Sequence, residues 1–244
     1  MKIGVTGCKG RIGSLLVQEL DSGNWPQATL AGTTMRNESP DALFQTADAV
    51  IDFTAPEATV NHAQLAAKYG TILVAATSGL SAEQEATLRE AATKTPIIYA
   101  ANTSIGVNML IGLVQQAAKQ LDGANWDAEI IDAHHRFKVD APSGTSYALA
   151  NAIKEGRNTP NAPLTHGREG HTGQREEGSI GFSVQRGGDD VIENTVIYFG
   201  NGERLELTHR ATNRAIFAKG AIKAALWAKD KPAGLYSMKD MLDI

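Results

Sequence analysis

The apolar pattern of this chain has two regimes. Through about residue 103, short apolar runs alternate with stretches of helical spacing. Residues 2–6 read as a buried strand, and residues 11–20, with Ile12, Leu15, Leu16 and Leu20 three to four apart, as the helix that follows. Further strands are expected at 28–34, 49–53, 71–76 and 96–101. Helices are expected at 56–69, where Pro56 suits the first turn, and at 82–93. Strands alternating with helices imply right-handed crossovers and a parallel sheet, hence an α/β class.

Beyond residue 103 the rhythm changes. A long apolar helix is expected at 106–121 and a shorter one at 146–154. Strands follow at 180–186, 191–199 and 204–210, separated by turn signals at Gly187-Gly188-Asp189 and Gly200-Asn201-Gly202, which predicts an antiparallel meander. A last helix at 215–229, carrying Ile216, Phe217, Ile222 and Leu226, is expected to return to the first domain. Residues 158–177, rich in Gly, Pro, Thr and charge, read as a long loop of the functional kind.

Composition narrows the classes. A net charge of -4, from 23 basic and 27 acidic residues, argues against a general nucleic-acid binder, so an anionic ligand needs a local cationic cluster. The single cysteine, Cys8, excludes an intramolecular disulfide and a multi-cysteine metal site, and fits a reducing cytoplasm. Met1-Lys2 runs straight into the first strand, and no apolar run approaches the ~20 residues of a membrane span. A cytoplasmic protein without membrane partners is expected.

The segment Gly7-Cys8-Lys9-Gly10-Arg11-Ile12-Gly13 lies between a strand and a helix. Backbone N–H groups and the helix dipole there suit a pyrophosphate, and Lys9 and Arg11 add charge. At the end of the second strand, an acid would hold the ribose hydroxyls of NAD, whereas an arginine accommodates the 2′-phosphate of NADP. The string Gly32-Thr33-Thr34-Met35-Arg36 has no acid and one arginine. NADPH is therefore the expected cofactor, with NADH a possible second, and Arg36, with Thr34 or Lys9, on the 2′-phosphate.

The string from Glu129 to Thr145, E-I-I-D-A-H-H-R-F-K-V-D-A-P-S-G-T, concentrates proton-transfer and anion-binding groups. His134 and His135, adjacent on an extended strand, point to opposite faces and are poorly placed to share a metal, so no metal is expected. An imidazole suits proton donation to an atom that gains charge during hydride addition, and Lys138 can hold a carboxylate or share that role. Pro142-Ser143-Gly144-Thr145 opens a helix whose N–H groups form an anion site, with Ser143 or Thr145 alternatively serving only as its cap.

This string closely resembles the signature of the 4-hydroxy-tetrahydrodipicolinate (dihydrodipicolinate) reductases of lysine and diaminopimelate synthesis. Similar segments run along the whole chain: Asp52-Phe53-Thr54, Ala76-Thr77-Ser78-Gly79, residues 100–104, Gly167-Arg168-Glu169-Gly170 and Arg186-Gly187-Gly188-Asp189. The resemblance implies His134 as proton donor and acceptor and Lys138 as a second proton donor. It implies that His135, with the Ser143-Gly144-Thr145 helix start, holds the substrate carboxylates. It places the cofactor on Gly7, Cys8, Lys9, Gly10, Arg11 and Ile12, with Ala76, Thr77, Ser78 and Ala100, Ala101, Asn102, Thr103 toward the nicotinamide. The implied fold is a Rossmann-type parallel-sheet domain, residues 1–103 and 214–244, plus a central α+β domain with a mixed or antiparallel sheet, residues 104–213, that assembles a homotetramer.

Several positions depart from the family pattern. Met35 stands where members that use NADH well carry an acid, and Phe137 replaces a frequent histidine. Thr103 replaces a phenylalanine, Ala76 and Ser78 replace Gly and Thr, and Ile192-Glu193-Asn194 replaces Gly-Glu-His in the tetramerisation region. Among rival readings, a short-chain dehydrogenase needs a Tyr-x-x-x-Lys pair, and none of the five tyrosines has a lysine four residues on. An aspartate-semialdehyde-type enzyme needs a nucleophilic cysteine, and Cys8 sits in the phosphate loop. A non-catalytic NAD(P)H-sensing protein needs the cradle but not the His134–Lys138 cluster.

Overall fold

The computed structural model of the chain describes residues 1–189 and 192–244. Its elements in chain order begin β1 (Lys2–Thr6), α1 (Arg11–Asp21), β2 (Thr29–Thr34), α2 (Asp41–Thr46), β3 (Ala49–Asp52), α3 (Pro56–Tyr69), β4 (Ile72–Ala75), α4 (Ala82–Ala91), β5 (Pro96–Tyr99) and α5 (Ile105–Ala118). There follow β6 (Asp127–His134), α6 (Gly144–Arg157), β7 (Leu164–Thr165), β8 (Ile180–Arg186), β9 (Ile192–Gly200), β10 (Glu203–Ala211), α7 (Ala215–Ala228), β11 (Gly234–Tyr236) and α8 (Met238–Leu242). They form two units, one of Met1–Ile105 with Arg214–Ile244, the other of Gly106–Asn213.

In the first unit the strands form one sheet in the order β11-β5-β4-β3-β1-β2, and every pairing is parallel. Strands β3 and β4 are buried at every position, as a strand covered on both faces must be. On one face, Leu16 and Leu20 of α1 and Ala221, Ile222 and Ala225 of α7 pack with Ile3, Val5, Ile51 and Val74. On the other, Phe44 of α2, Ala63 and Ala66 of α3 and Leu88 of α4 pack with Val50, Leu73 and Ile97. Chain order reverses between β3 and β2 around β1, so the ligand crevice of such a sheet lies beyond the carboxyl ends of β1 and β3. Helix α2 and strand β11, six and three residues long, are too short to show a period and were not expected.

The second unit holds a mixed sheet in the order β10-β9-β6-β8-β7. Strands β9 and β10 form the expected hairpin, with Gly200 opposite Glu203. The expected meander of all three late strands is corrected: β8 runs parallel to β6, and β9 pairs antiparallel with the other edge of β6. A turn signal marks reversal of the chain, not which strand fills the gap. Here the end of β6 fills it, held by Gly187 N–H to His134 O at 3.1 Å and Arg136 N–H to Gly188 O at 3.2 Å. The strand expected at 191–199 starts, within the described residues, at Ile192; Val191 lies outside them. The loop expected at 158–177 carries the two-residue strand β7.

Strand β6 alternates in burial along its whole length, with Ala128, Ile130, Asp132 and His134 inward. The first two join Leu149, Ala150 and Ile153 of α6 in the core. The last two continue the same face as polar groups, and there the core gives way to the site.

Candidate functional site

His134 ends β6 and is 5% exposed, while His135, the next residue, is half-buried on the other side. The His134 ring places Nδ1 2.6 Å from Oδ1 of Asp132, which is 0% exposed. The angle departs from that of an ideal hydrogen bond, yet neither atom has another partner among the described residues. The second carboxylate oxygen of Asp132 accepts from Ser143 N–H at 2.6 Å and from Arg186 Nη2 at 3.3 Å. Burial pushes the Asp132 carboxyl up, but His134, the Ser143 N–H and Arg186 together pull it down to about 2. Its negative charge is thus held in place at neutral pH. Beside it a cavity of about 320 Å³ is lined by His134, Gln185, Arg186 and the Gly187-Gly188-Asp189 turn.

Residues 135–143 strap the end of β6 to the start of α6. The strap turns tightly: Lys138 N–H donates to His135 O at 3.1 Å and Phe137 N–H to His135 Nδ1 at 3.2 Å. Lys138 Nζ reaches Asp140 at 2.7 and 2.9 Å, which leaves Lys138 facing a carboxylate of its own strap. Phe137 and Val139, at 78% and 98% exposed, are the apolar side chains of the strap turned to solvent. Arg186 ties the strap down through Nη2 to Asp140 O at 2.7 Å.

Helix α6 begins at Gly144, two residues before its expected start. Ser143, expected either on the substrate or as the helix cap, caps the helix here. Its Oγ caps the helix by accepting from Ser146 N–H at 3.2 Å, its N–H is spent on Asp132, and it is buried. Gly144 is exposed and Thr145 half-buried, and their N–H groups belong to the first turn, which has no intrahelical acceptors. Asn194 of β9 is also buried, donating from Nδ2 to Ser146 Oγ at 3.1 Å. The departure expected to bear on tetramerisation therefore braces the frame of α6 at this position.

In the first unit, β1 leads into the glycine turn. Gly7 adopts φ 69°, a left-handed conformation that disfavours a side chain, and its carbonyl accepts from Gly10 N–H at 2.8 Å. A Cβ on Gly13 would collide with that carbonyl, so the turn and α1 close-pack only with glycine there. The N–H groups of Gly7 and Cys8 are taken by Thr34 O at 2.9 and 3.3 Å, which locks the turn to the end of β2. Those of Arg11, Ile12 and Gly13, in the first turn of α1, remain for an anion. Lys9, Gly10 and Arg11 are exposed, Cys8 and Ile12 half-buried. This cradle fits the pyrophosphate of a dinucleotide.

A cavity of about 470 Å³ adjoins it, lined by Cys8, Lys9, Thr33, Met35 and Glu38 among others. Arg36 is exposed on the turn beside it, and Thr34 is buried. Glu38 was not expected here. It folds back to accept from Met35 N–H at 2.8 Å, and a single strand-end string that stopped at Arg36 could not reveal it.

The remaining cofactor positions lie at strand ends of the same sheet. Ala76, Thr77 and Ala100 are buried, Asn102 half-buried, Ser78 and Ala101 exposed. Thr103 faces the core rather than a ligand, donating to Phe217 O at 2.8 Å. Thr77 Oγ1 joins a buried cluster around Asp52. That carboxylate accepts from Thr6 Oγ1 at 3.0 Å, Thr54 Oγ1 at 2.6 Å and Thr59 Oγ1 at 2.6 Å, and His62 Nδ1 stands 3.1 Å away. Burial pushes Asp52 up, but His62 and the threonine hydroxyls hold it below the usual carboxylate range. The network ties the ends of β1, β3 and β4 together, and the sequence signal for it was only the Asp52-Phe53-Thr54 string.

Comparison with known proteins agrees with this layout. Residues 1–103 match the family model "Dihydrodipicolinate reductase, N-terminus", and residues 106–242 match "Dihydrodipicolinate reductase, C-terminus". A curated 4-hydroxy-tetrahydrodipicolinate reductase of Acinetobacter baumannii is 44% identical, covering 100% of this chain and 96% of its own length. One from Caulobacter vibrioides is 45% identical, covering 99% and 97%. Among solved structures, the dipicolinate-bound dihydrodipicolinate reductase of Paenisporosarcina sp. TG-14 superposes with a TM-score of 0.79, over 99% of each chain at 23% identity, a likeness of fold. No helix among the described residues is long and apolar enough to cross a membrane.

Proposed function

The chain belongs to the dihydrodipicolinate reductase family, and from that premise we propose that it reduces 4-hydroxy-tetrahydrodipicolinate, or its dehydrated form, to tetrahydrodipicolinate in the diaminopimelate route to lysine. NADPH is the preferred reductant, and the working form is a cytoplasmic homotetramer. The observation that carries the catalytic reading is His134 at the end of β6, its Nδ1 against Asp132 and its ring on a cavity, with Lys138 on the strap that follows.

With the 4-hydroxyl lost first as water, ring carbon 4 is the conjugated end of the cyclic imine, and a bound nicotinamide would supply its hydride there. His134 delivers the proton that quenches the resulting enamine, with Lys138 as the second donor. For Lys138 to serve, a substrate carboxylate displaces Asp140 from Nζ, an exchange of one partner for another at a partly exposed lysine. His135 and the N–H groups of Gly144 and Thr145 hold the carboxylates, where the helix dipole favours negative charge. The first turn of α1, with Lys9 and Arg11 adding charge, would hold the cofactor phosphates. Arg36 would hold the 2′-phosphate. Lys9 lines the adjoining cavity, and Glu38 on its wall is engaged by Met35 N–H.

The test is an assay that generates the substrate from pyruvate and aspartate semialdehyde with the preceding synthase while NADPH absorbance is followed. Oxidation well above the uncatalysed background is expected. A rate equal to background would overturn the assignment and favour a protein that only binds the dinucleotide.

A further inference from the structure

The strand that carries His134 carries a second polar residue on the same face. Asp132 lies two positions earlier, where strand alternation returns to the same side, and it is completely buried. A buried carboxylate is costly unless each oxygen has a partner. Here the partners divide by function. One oxygen stands against Nδ1 of His134 at 2.6 Å; the other takes Ser143 N–H at 2.6 Å, the cap residue of α6.

We infer that Asp132 is the positioning residue of this site, fixing His134 with its proton on Nδ1 and pinning the start of α6 with the same carboxylate. The inference rests on the proposed role of His134. With Nδ1 facing Asp132 Oδ1 at 2.6 Å, Nε2 is the nitrogen assigned to pass the proton, and the ring that has donated it keeps its Nδ1–H. Arg186, opposite His134 in the β6–β8 register, braces the arrangement by donating to Asp132 O at 3.1 Å, to its carboxylate and to Asp140 O. On the far side, Ser143 Oγ, Ser146 Oγ and Asn194 Nδ2 continue the network at 3.0 and 3.1 Å. The donor and the start of α6 are thereby set relative to each other through one side chain as well as through the strap.

A purely structural aspartate would satisfy Ser143 and Arg186 without dictating which nitrogen of His134 is protonated. The isosteric change Asp132→Asn separates the two, because a carboxamide keeps an acceptor for Ser143 N–H but can offer N–H to Nδ1. In serine proteases the same change behind a catalytic histidine inverts the tautomer and costs on the order of 10⁴ in kcat.

The experiment records long-range ¹H–¹⁵N spectra of the ligand-free full chain at alkaline pH, with His134 assigned by loss of its signals in His134→Gln. The expected wild-type pattern is protonated Nδ1 and bare Nε2, inverted in Asp132→Asn. That variant is also expected to lose kcat by on the order of 10²-fold or more, with the KM for NADPH within about threefold of wild type. A wild-type spectrum with the proton on Nε2 overturns the inference, as does Asp132→Asn that keeps both the wild-type tautomer and wild-type kcat. If Asp132→Asn does not fold, the wild-type spectrum alone decides. If instead the wild-type enzyme fails to oxidise NADPH with the cyclic imine, the assignment of function falls while the tautomer result stands on its own.

Discussion

Among the described residues, two buried aspartate–histidine pairs stand at strand ends, and they are built differently. At the end of β3, Asp52 receives three threonine hydroxyls as well as His62, and the His62 ring stacks on Phe44 at 5.6 Å within the core. At the end of β6, Asp132 shares its oxygens between a histidine, a helix cap and an arginine, and the histidine lines a cavity. The first pair joins β1, β3 and α3 and is surrounded by its own fold. The second borders a cavity of about 320 Å³. The residue types of the two pairs are the same; what differs is that one histidine stacks on a core aromatic ring and the other lines a cavity.

The sharpest way to probe the second region is through the other proton donor. Lys138→Met is expected to lower kcat by on the order of 10²-fold and to raise the KM for the dicarboxylate, while NADPH affinity holds. Stability should change by only a few tenths of a kcal/mol, because the Lys138–Asp140 pair is exposed on the aspartate side. Steady-state kinetics and thermal melts check both halves, and a variant with wild-type kcat would remove Lys138 from the mechanism.

The first region should respond in stability. Asp52→Asn is expected to cost about 3 kcal/mol in denaturant unfolding, since a buried histidine and three hydroxyls lose their shared charge, with kcat per folded molecule within about threefold of wild type. Both aspartates have folded-state pKa values below their unfolded ones, so each contributes stability above about pH 4 that is lost as pH falls. For Asp132 that window runs from about 4 down to about 2. Wild-type unfolding free energy should fall steadily through this range, and the fall should be shallower in Asp52→Asn. Equal slopes would mean that Asp52 carries no such linkage.

The smallest expected effect concerns the cradle. Arg36→Ala should raise the KM for NADPH about tenfold, one charge-assisted contact, and leave that for NADH nearly unchanged. Parallel changes for both cofactors would place Arg36 outside the 2′-phosphate contact.

Most strands of both sheets, the hairpin at residues 200–203 and the positions of His134 and Lys138 were legible, because alternation and strand–helix rhythm are local properties. The pairing of β8 with β6 was not, since it depends on which strand fills the space left by a reversal. Asp132 stood in the quoted signature but read as one more strand residue; its meaning comes from burial and from Ser143 folding back onto it eleven residues later. Ser143 and Thr103 show the same limit. Their residue types suit ligand contacts, and only packing decides that one caps α6 and the other bonds Phe217 O. Asn194 was legible as a departure but not as a brace, because its partner, Ser146, is 48 residues away.

The contrast between the two pairs is tested most directly by measuring kcat of His134→Gln and His62→Gln side by side, at saturating NADPH and with folded fractions determined by unfolding. His134→Gln is expected to lose on the order of 10²-fold or more in kcat per folded molecule, while His62→Gln keeps kcat within about threefold, with both variants destabilised. Near-wild-type turnover in His134→Gln, or a comparable loss of turnover in a fully folded His62→Gln, would contradict it.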